Sequence, residues 1–328
     1  MSPQLGKVSM IFRRHCFRTT SLILLFIVAS GCGAVQMLWH APSIKKENWK
    51  EWGECFDNRP LSHAGIEHSV FCLEGAGSKP PVLLLHEMNG VTSETFRYAQ
   101  ELSADFTVYV PMLFGTKGEE SVISGLWAYW FKGIIALFPS GEWGTPPTGS
   151  APIVNWLRNV VLRMEEKHSA SPIRIIGNCM TGALPLALLD NANVDAVVVA
   201  QPALPMKFFS WYTSEDEASL GLSPEDWRVA KERSQAKVLA LRFETDWISP
   251  PAKYEALRDG LRKRFVDEEI CGCEYLSGGE LVRPHSTLIG GRDAVGRVGA
   301  MSKRKREEVR KFLFSPHVAI ENSYCRER

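Results

Sequence analysis

The chain lacks an excess of charge of either sign. Its 328 residues carry 38 Lys and Arg against 37 Asp and Glu, a formal net charge of +1, so the charge balance gives no reason to expect a nucleic-acid partner. The basic run Lys303-Arg304-Lys305-Arg306 is followed by Glu307 and Glu308 and reads as a solvated helix face. There is no Gly-rich phosphate loop, no dinucleotide fingerprint and no internal repeat, which removes nucleotide chemistry and solenoid architectures. Metal-ligand spacing is missing too. His86-Glu87 has no second histidine at helical distance, and Cys271-Gly272-Cys273 has no second cysteine pair. Chemistry without a metal or a cofactor is therefore expected.

One short segment carries most of the remaining information. In Ile173-Arg174-Ile175-Ile176-Gly177-Asn178-Cys179-Met180-Thr181-Gly182-Ala183-Leu184, an apolar β-branched run meets small residues and passes into helix-forming sequence. This is the layout of a nucleophile elbow. A sharp strand-to-helix turn lifts the nucleophilic atom clear of the backbone, and the N–H of the next residue, Met180, is aimed at the oxyanion formed on attack. The second small position of the usual pattern holds Thr181, and the glycine comes one residue later.

An acid and a histidine should follow on loops leaving the carboxyl ends of later strands. The run Ala236 to Phe243 reads as a buried parallel strand that opens into Glu244-Thr245-Asp246-Trp247-Ile248-Ser249-Pro250, which makes Asp246 the candidate acid. Ile270 to Leu276 is strand-like, and the loop behind it carries Pro284-His285-Ser286-Thr287. His285 is the candidate base. Upstream, Pro81 to Leu85 is a continuous apolar strand ending in His86-Glu87-Met88. A helical stretch through Tyr98 and Leu102 leads from there to a second strand, Phe106 to Pro111.

From about Ser69 to Phe314 the chain resembles the dienelactone hydrolase family of α/β-hydrolases, on the strand ending in His86-Glu87, the proline-led loop after the next strand, the Gly177-x-Cys179 elbow, and the later Asp246 and His285. The resemblance implies an α/β fold with a mostly parallel central sheet flanked by helices. It implies a Cys179-His285-Asp246 triad, Glu87 close to the thiol, and an oxyanion hole from the backbone N–H groups of Met88 and Met180. The chain departs from the family at Thr181, which replaces the first of two paired glycines, and at Ser286-Thr287, where a small residue and Phe are usual. The nearest arginine behind the histidine is Arg292, so dienelactone itself is a poor substrate expectation.

The chemistry expected is hydrolysis of an ester or lactone through an acyl-enzyme thioester. A thiol is mostly protonated near neutrality and needs a base, the role of His285, while Asp246 fixes the imidazole tautomer. Glu87 could accept the thiol proton; as a plain carboxylate at a helix end it would only make a salt bridge. The alternative function is a non-catalytic hydrolase-fold envelope lipoprotein that binds a small apolar ligand.

The first residues carry a basic stretch, Arg13 to Arg18, an apolar core, Ser21 to Val28, and Ala29-Ser30-Gly31-Cys32. The core is too short for a comfortable membrane span, which needs about 20 apolar residues. The pattern reads as a signal peptide over 1–32 and resembles the bacterial lipoprotein signal, with Cys32 as the lipidated residue; an ordinary secretory signal or a single anchor are the other readings. Each exports the domain, and the lipoprotein reading places it in the cell envelope, anchored to the membrane. Cys55 and Cys72 could pair in an oxidising compartment.

At 45% hydrophobic and 23% charged residues the chain can bury one large core. The expected organisation is an N-terminal segment over 33–68, a hydrolase domain over 69–315 and a tail over 316–328. Two apolar insertions are expected near 116–149 and 204–234. The first carries Leu126-Trp127-Ala128-Tyr129-Trp130-Phe131, the second Phe208, Phe209, Trp211 and Tyr212, and Ser223-Pro224 reads as a helix start. Together they predict a pocket that favours hydrophobic acyl or aryl esters.

Overall fold

Apolar runs that alternate with helical sequence become neighbouring parallel strands because a strand covered on both faces needs no polar side. The computed structural model describes residues 52–57, 59–74, 79–88, 90–113, 141–144, 146, 148–168, 171–205, 217–232, 235–270, 275–277, 280–282, 285–290 and 297–317, all within one unit spanning 43–328. The expected signal with Cys32, the aromatic run 126–138, residues 206–216, Arg292, Cys271, Cys273 and Cys325 lie outside the described residues.

The strands, in chain order, are β1 (Gly53–Glu54), β2 (Leu61–His63), β3 (Ile66–His68), β4 (Val70–Leu73), β5 (Pro81–Leu84), β6 (Thr107–Pro111), β7 (Ile173–Asn178), β8 (Val194–Ala200), β9 (Lys237–Phe243) and β10 (Phe265–Ile270). Eight of them form one sheet in the order β1-β4-β6-β5-β7-β8-β9-β10, with β2 and β3 in a separate hairpin. Pairing from β6 to β10 is parallel, and β4 and β1 extend the sheet antiparallel at one edge. The helices are α1 (Ser93–Leu102), α2 (Pro152–Lys167), α3 (Leu184–Ala187), α4 (Pro224–Glu232), α5 (Pro251–Leu261) and α6 (Arg297–Phe314).

Alternation along the central strands sorts side chains into two cores. Leu83, Ile175, Val197, Val199 and Val238 meet α2 and α5 through Trp156, Leu157, Val160 and Leu257. Val82, Leu84, Ile176, Val198 and Leu239 meet α1 and α6 through Phe96, Leu102, Val309 and Phe312. This is the α/β-hydrolase fold, and the strand order reverses about β5. Crevices form outside the carboxyl ends of strands at such a reversal.

Three expectations change. The central sheet includes a strand before Ser69: β1 pairs with β4, and a Cys55–Cys72 disulfide with a Cα separation of 5.4 Å ties the residue after β1 to β4. The last parallel strand is Phe265–Ile270, earlier than the predicted 270–276 run. Tyr275–Ser277 pairs instead with Glu280–Val282 as a separate ribbon of β11 and β12. The acidic Asp267-Glu268-Glu269 hides that strand from pattern reading, because the buried Glu268 is neutralised by Lys305 of α6. For the same reason the basic run is only half a solvated face. Lys303 and Arg304 are exposed, whereas Lys305 is buried between Glu268 and Glu308, and Arg306 is buried against Glu101.

Candidate active site

The turn after β7 is built by two glycines that flank the cysteine at unequal distances. A Cβ on Gly177 would sit 2.5 Å from the Thr181 carbonyl oxygen and 2.7 Å from the Pro185 ring; one on Gly182 would sit 2.7 Å from the Pro202 Cα and 2.8 Å from the Ala200 carbonyl oxygen. The crowding that elbows impose therefore falls on positions 177 and 182, not 181. Cys179 between them has φ +53°, a left-handed conformation that costs a non-glycine residue about 1–3 kcal/mol and persists only where its surroundings enforce it.

Thr181 is fully buried and serves as a tie. Its hydroxyl donates to the His86 carbonyl at 2.9 Å and accepts the Asn178 N–H at 3.1 Å, so the elbow is bonded to the loop that leaves β5. Asn178 adds a second tie, its amide donating to the Leu85 carbonyl at 2.9 Å. His86 is the inner post of that loop: Nδ1–H donates to the Glu87 carbonyl at 2.7 Å while Nε2 accepts the Leu113 N–H at 3.1 Å, which fixes the tautomer. Burial pulls its pKa down to about 4, so it stands neutral as a scaffold.

The candidate acid and base meet. Asp246, on the loop after β9, accepts N–H bonds from Ile248 and Ser249 on Oδ1, while Oδ2 lies 2.7 Å from Nδ1 of His285. Both side chains are buried. Nε2, the other ring nitrogen of His285, is buried without a hydrogen bond of ordinary geometry and stands within electrostatic reach of the Cys179 sulfur. Burial pushes the ring toward the neutral form, but the Asp246 carboxylate and the Cys179 sulfur together outweigh it and hold the His285 pKa well above 6.5. Cys179 is the free cysteine among the described residues and is only 8% exposed.

Glu87 enters the same cluster in a different posture from the expected one. Its carboxylate accepts from the Ser286 hydroxyl at 2.5 Å and the Gln201 amide at 2.9 Å, and its hydrogen bonds do not run to the thiol. Burial raises its pKa, partly offset by Ser286 and the His285 charge. Met180, next to the cysteine in the turn, is buried in the core, and Met88 packs partly buried against the same core.

Sequence reasoning assigned no role to Arg242, Gln201, Thr181 or Ser286. Arg242, buried near the end of β9, donates from Nε to the Ser249 carbonyl at 3.1 Å and from Nη2 to those of Glu244 at 2.9 Å and Asp246 at 3.3 Å; Nη1 pairs with Glu269. A guanidinium in an otherwise apolar strand was the available signal, since a buried charge requires a dedicated set of partners. Described residues that flank the two expected insertions lie beside the site. Leu113, bonded to His86, precedes the first; Ala203, whose N–H donates to the Cys179 carbonyl at 2.9 Å, precedes the second. The fully buried Lys253 donates to the carbonyls of Leu204 and Ser219, which bracket 206–216. Among the described residues, no helix is long and apolar enough to cross a membrane, and no group of three or more His, Cys, Asp or Glu is placed to hold a metal ion.

No protein-family model and no curated protein matches the chain. Among solved structures it is similar to a protein taken to be a dienelactone hydrolase from Klebsiella pneumoniae, at 16% identity and a TM-score of 0.50, covering 79% of this chain and 98% of that one. A dienelactone hydrolase from Anabaena variabilis is similar at 13% identity and a TM-score of 0.49, covering 80% and 98%. Identities this low speak for the fold alone.

Proposed function

We propose that the protein hydrolyses esters or lactones with Cys179 as nucleophile, His285 as base and Asp246 as the group that orients it. The observation that carries this reading is the buried Asp246–His285 bond of 2.7 Å, with a cysteine held at φ +53° on a strand-to-helix turn within electrostatic reach of the same ring. A raised imidazole pKa favours the protonated ring, the form that accompanies a thiolate.

In this scheme the thiolate attacks the carbonyl carbon, and the electron pair of the C=O bond moves to oxygen. The backbone N–H groups of Met88 and Met180 receive that oxyanion, each donor worth roughly 3 kcal/mol. Collapse expels the alkoxide, which takes the proton from His285 and leaves as the alcohol, and a thioester remains. Water, deprotonated by His285, then attacks the thioester, and the acid departs as the thiolate is restored. Thiolate is a good leaving group, so activated or strained esters suit the scheme better than amides.

A preference for hydrophobic acyl or aryl groups is supported by the apolar composition of both insertions and by the bonds that residues flanking them make to His86 and Cys179. Lipidation at Cys32 and residence in the envelope are proposed from the sequence, and the Cys55–Cys72 disulfide is in keeping with an oxidising compartment. Incorporation of labelled palmitate that disappears in Cys32→Ala tests that part.

The deciding experiment is hydrolysis of a chain-length series of activated aryl esters by the full chain and by Cys179→Ala and His285→Ala. Turnover by wild type that both variants nearly abolish supports the triad. Equal rates in all three remove Cys179 from the chemistry.

A further inference from the structure

The two residues that follow His285 are fastened from several sides. Ser286 donates its hydroxyl to Glu87 at 2.5 Å and accepts the Gly290 N–H at 2.6 Å, which closes the loop on itself. A Cβ on Gly290 would lie 3.1 Å from the Ser286 side chain, so the closure leaves little room. Thr287 gives both its N–H, at 3.2 Å, and its hydroxyl to the side-chain oxygen of Gln201. The Thr287 carbonyl in turn accepts the Ser302 hydroxyl of α6 at 2.6 Å, and Arg306, paired with Glu101 of α1, donates to that same hydroxyl.

Gln201 stands at the centre. It is fully buried, it follows β8 directly, and its φ of +35° lies in the left-handed region that a side chain adopts at a cost. Its N–H is spent on the Leu241 carbonyl at 2.7 Å, which locks the residue to β9. With the backbone held, its side-chain oxygen faces Thr287 and its side-chain nitrogen faces Glu87 at 2.9 Å. The amide thus bridges the loop after β5 and the loop that carries the imidazole.

We infer that Glu87 and Gln201 are a pair of positioning residues that hold the His285 loop in register with Cys179, Glu87 acting as a fixed acceptor for Ser286 and Gln201 and not as the group that takes the thiol proton. This rests on the proposed role of His285. Both donors to the Glu87 carboxylate converge on one oxygen, Oε1. Neither bond runs to the Cys179 thiol: the oxygen that Glu87 engages is committed to the loop that carries His285 and to the amide that holds it. The same pocket performs its anchoring task with any acceptor oxygen at that point, charged or not.

The test compares Glu87→Gln, Glu87→Ala, Gln201→Leu, Gln201→Glu and the double exchange Glu87→Gln/Gln201→Glu in the full chain. Two measurements are made: kcat and KM on an activated aryl ester, and the rate of Cys179 alkylation by iodoacetamide across pH. Glu87→Gln keeps the acceptor oxygen and is expected to cost less than about tenfold in kcat, the scale of one modest interaction. Glu87→Ala and Gln201→Leu free the loop and are expected to cost about 100-fold with KM little changed, as a displacement of about 1 Å does. Their alkylation profiles should move toward that of His285→Ala. Gln201→Glu places two carboxylates face to face and loses activity, and the double exchange restores a donor and acceptor pair and recovers most of it.

Glu87→Gln as damaging as Glu87→Ala, with alkylation unchanged in the Gln201 variants, would overturn the inference in favour of a proton-accepting Glu87. A double exchange that folds, by its near-ultraviolet circular dichroism, yet recovers nothing overturns it as well. Should wild type hydrolyse no ester, the alkylation series still reads the clamp, so failure of the hydrolase proposal and failure of this one are separable.

Discussion

Replacing Arg242 by Met probes how the fold holds the acid loop. The guanidinium contacts that loop at its beginning, middle and end, through the carbonyls of Glu244, Asp246 and Ser249 at 2.9, 3.3 and 3.1 Å. Arg242 is 3% exposed, so a methionine in its place fills the volume and brings no donor to any of the three. A buried acceptor that loses its partner costs about 1–3 kcal/mol. The pair with Glu269 adds little, since that carboxylate is 42% exposed and screened by solvent. With water reaching one of the three carbonyls, the expected loss of folding stability is about 3–5 kcal/mol, in the range seen when one partner of a buried charged contact is removed. For a slope of about 2–3 kcal/mol per molar urea this lowers the unfolding midpoint by about 1–2 M. The chain should still fold, and its loop should carry Asp246 out of line with His285. Such a displacement is worth about 100-fold in kcat/KM. Lysine, a point charge with no planar fork, should serve one carbonyl well and fall between the two. Urea titration and ester kinetics on the same preparations decide the matter. An unmoved midpoint would refute the energetic argument. A lowered midpoint with wild-type kcat/KM would refute the positioning argument and leave Asp246 held by its own bonds to the N–H groups of Ile248 and Ser249.

Gly177→Ala drives a methyl group into the Thr181 and Gly182 carbonyl oxygens and the Pro185 ring, so it should cost at least about 1–3 kcal/mol in thermal unfolding and slow Cys179 alkylation, while Gly53→Ala, with open space around its Cβ, should change neither. Removing the Cys55–Cys72 link by the double alanine variant frees a loop of sequence separation 17 and should lower stability by about 3 kcal/mol under non-reducing conditions; an unchanged melting temperature would mean the link contributes nothing. His86 has its pKa lowered from 6.5 to about 4 in the fold, so the unfolded chain binds its proton first as pH falls. The stability it contributes is present above about 6.5 and lost progressively down to about 4, of order 3 kcal/mol in all. The difference in urea unfolding free energy between wild type and His86→Asn should therefore shrink across that window, and a flat difference would contradict the burial argument.

The central strands were legible because burial on both faces demands predominantly apolar runs, and Pro81–Leu84, Ile173–Asn178, Val194–Ala200 and Lys237–Phe243 fall where such runs lie. The Ser223-Pro224 helix start was legible as well, since the signal is local: Ser223 accepts the Asp226 N–H at 3.0 Å. What failed did so where a charge was satisfied from far away. The acidic strand Phe265–Ile270 became acceptable only through Lys305, and Lys305 and Arg306 left the solvent only because Glu268 and Glu101 met them. Thr181 looked like an intrusion into the elbow pattern until its hydroxyl was seen to bond a carbonyl 95 residues earlier.

The same division runs through the candidate site. Local sequence alone determined the Gly177-x-Cys179 turn, the order in which an acid and a histidine follow it, and the apolar strands that carry them, because steric demand at a turn and two-sided burial of a strand act over a few residues. The strand order β6-β5-β7-β8-β9 decided that Asp246 and His285 meet within 2.7 Å, that Arg242 gathers the acid loop, and that Glu87 reaches Ser286 across 199 residues by way of the same pocket as Gln201. Hydrogen bonds between loops are short-ranged and directional, so their partners exist only once the sheet has set the loops side by side.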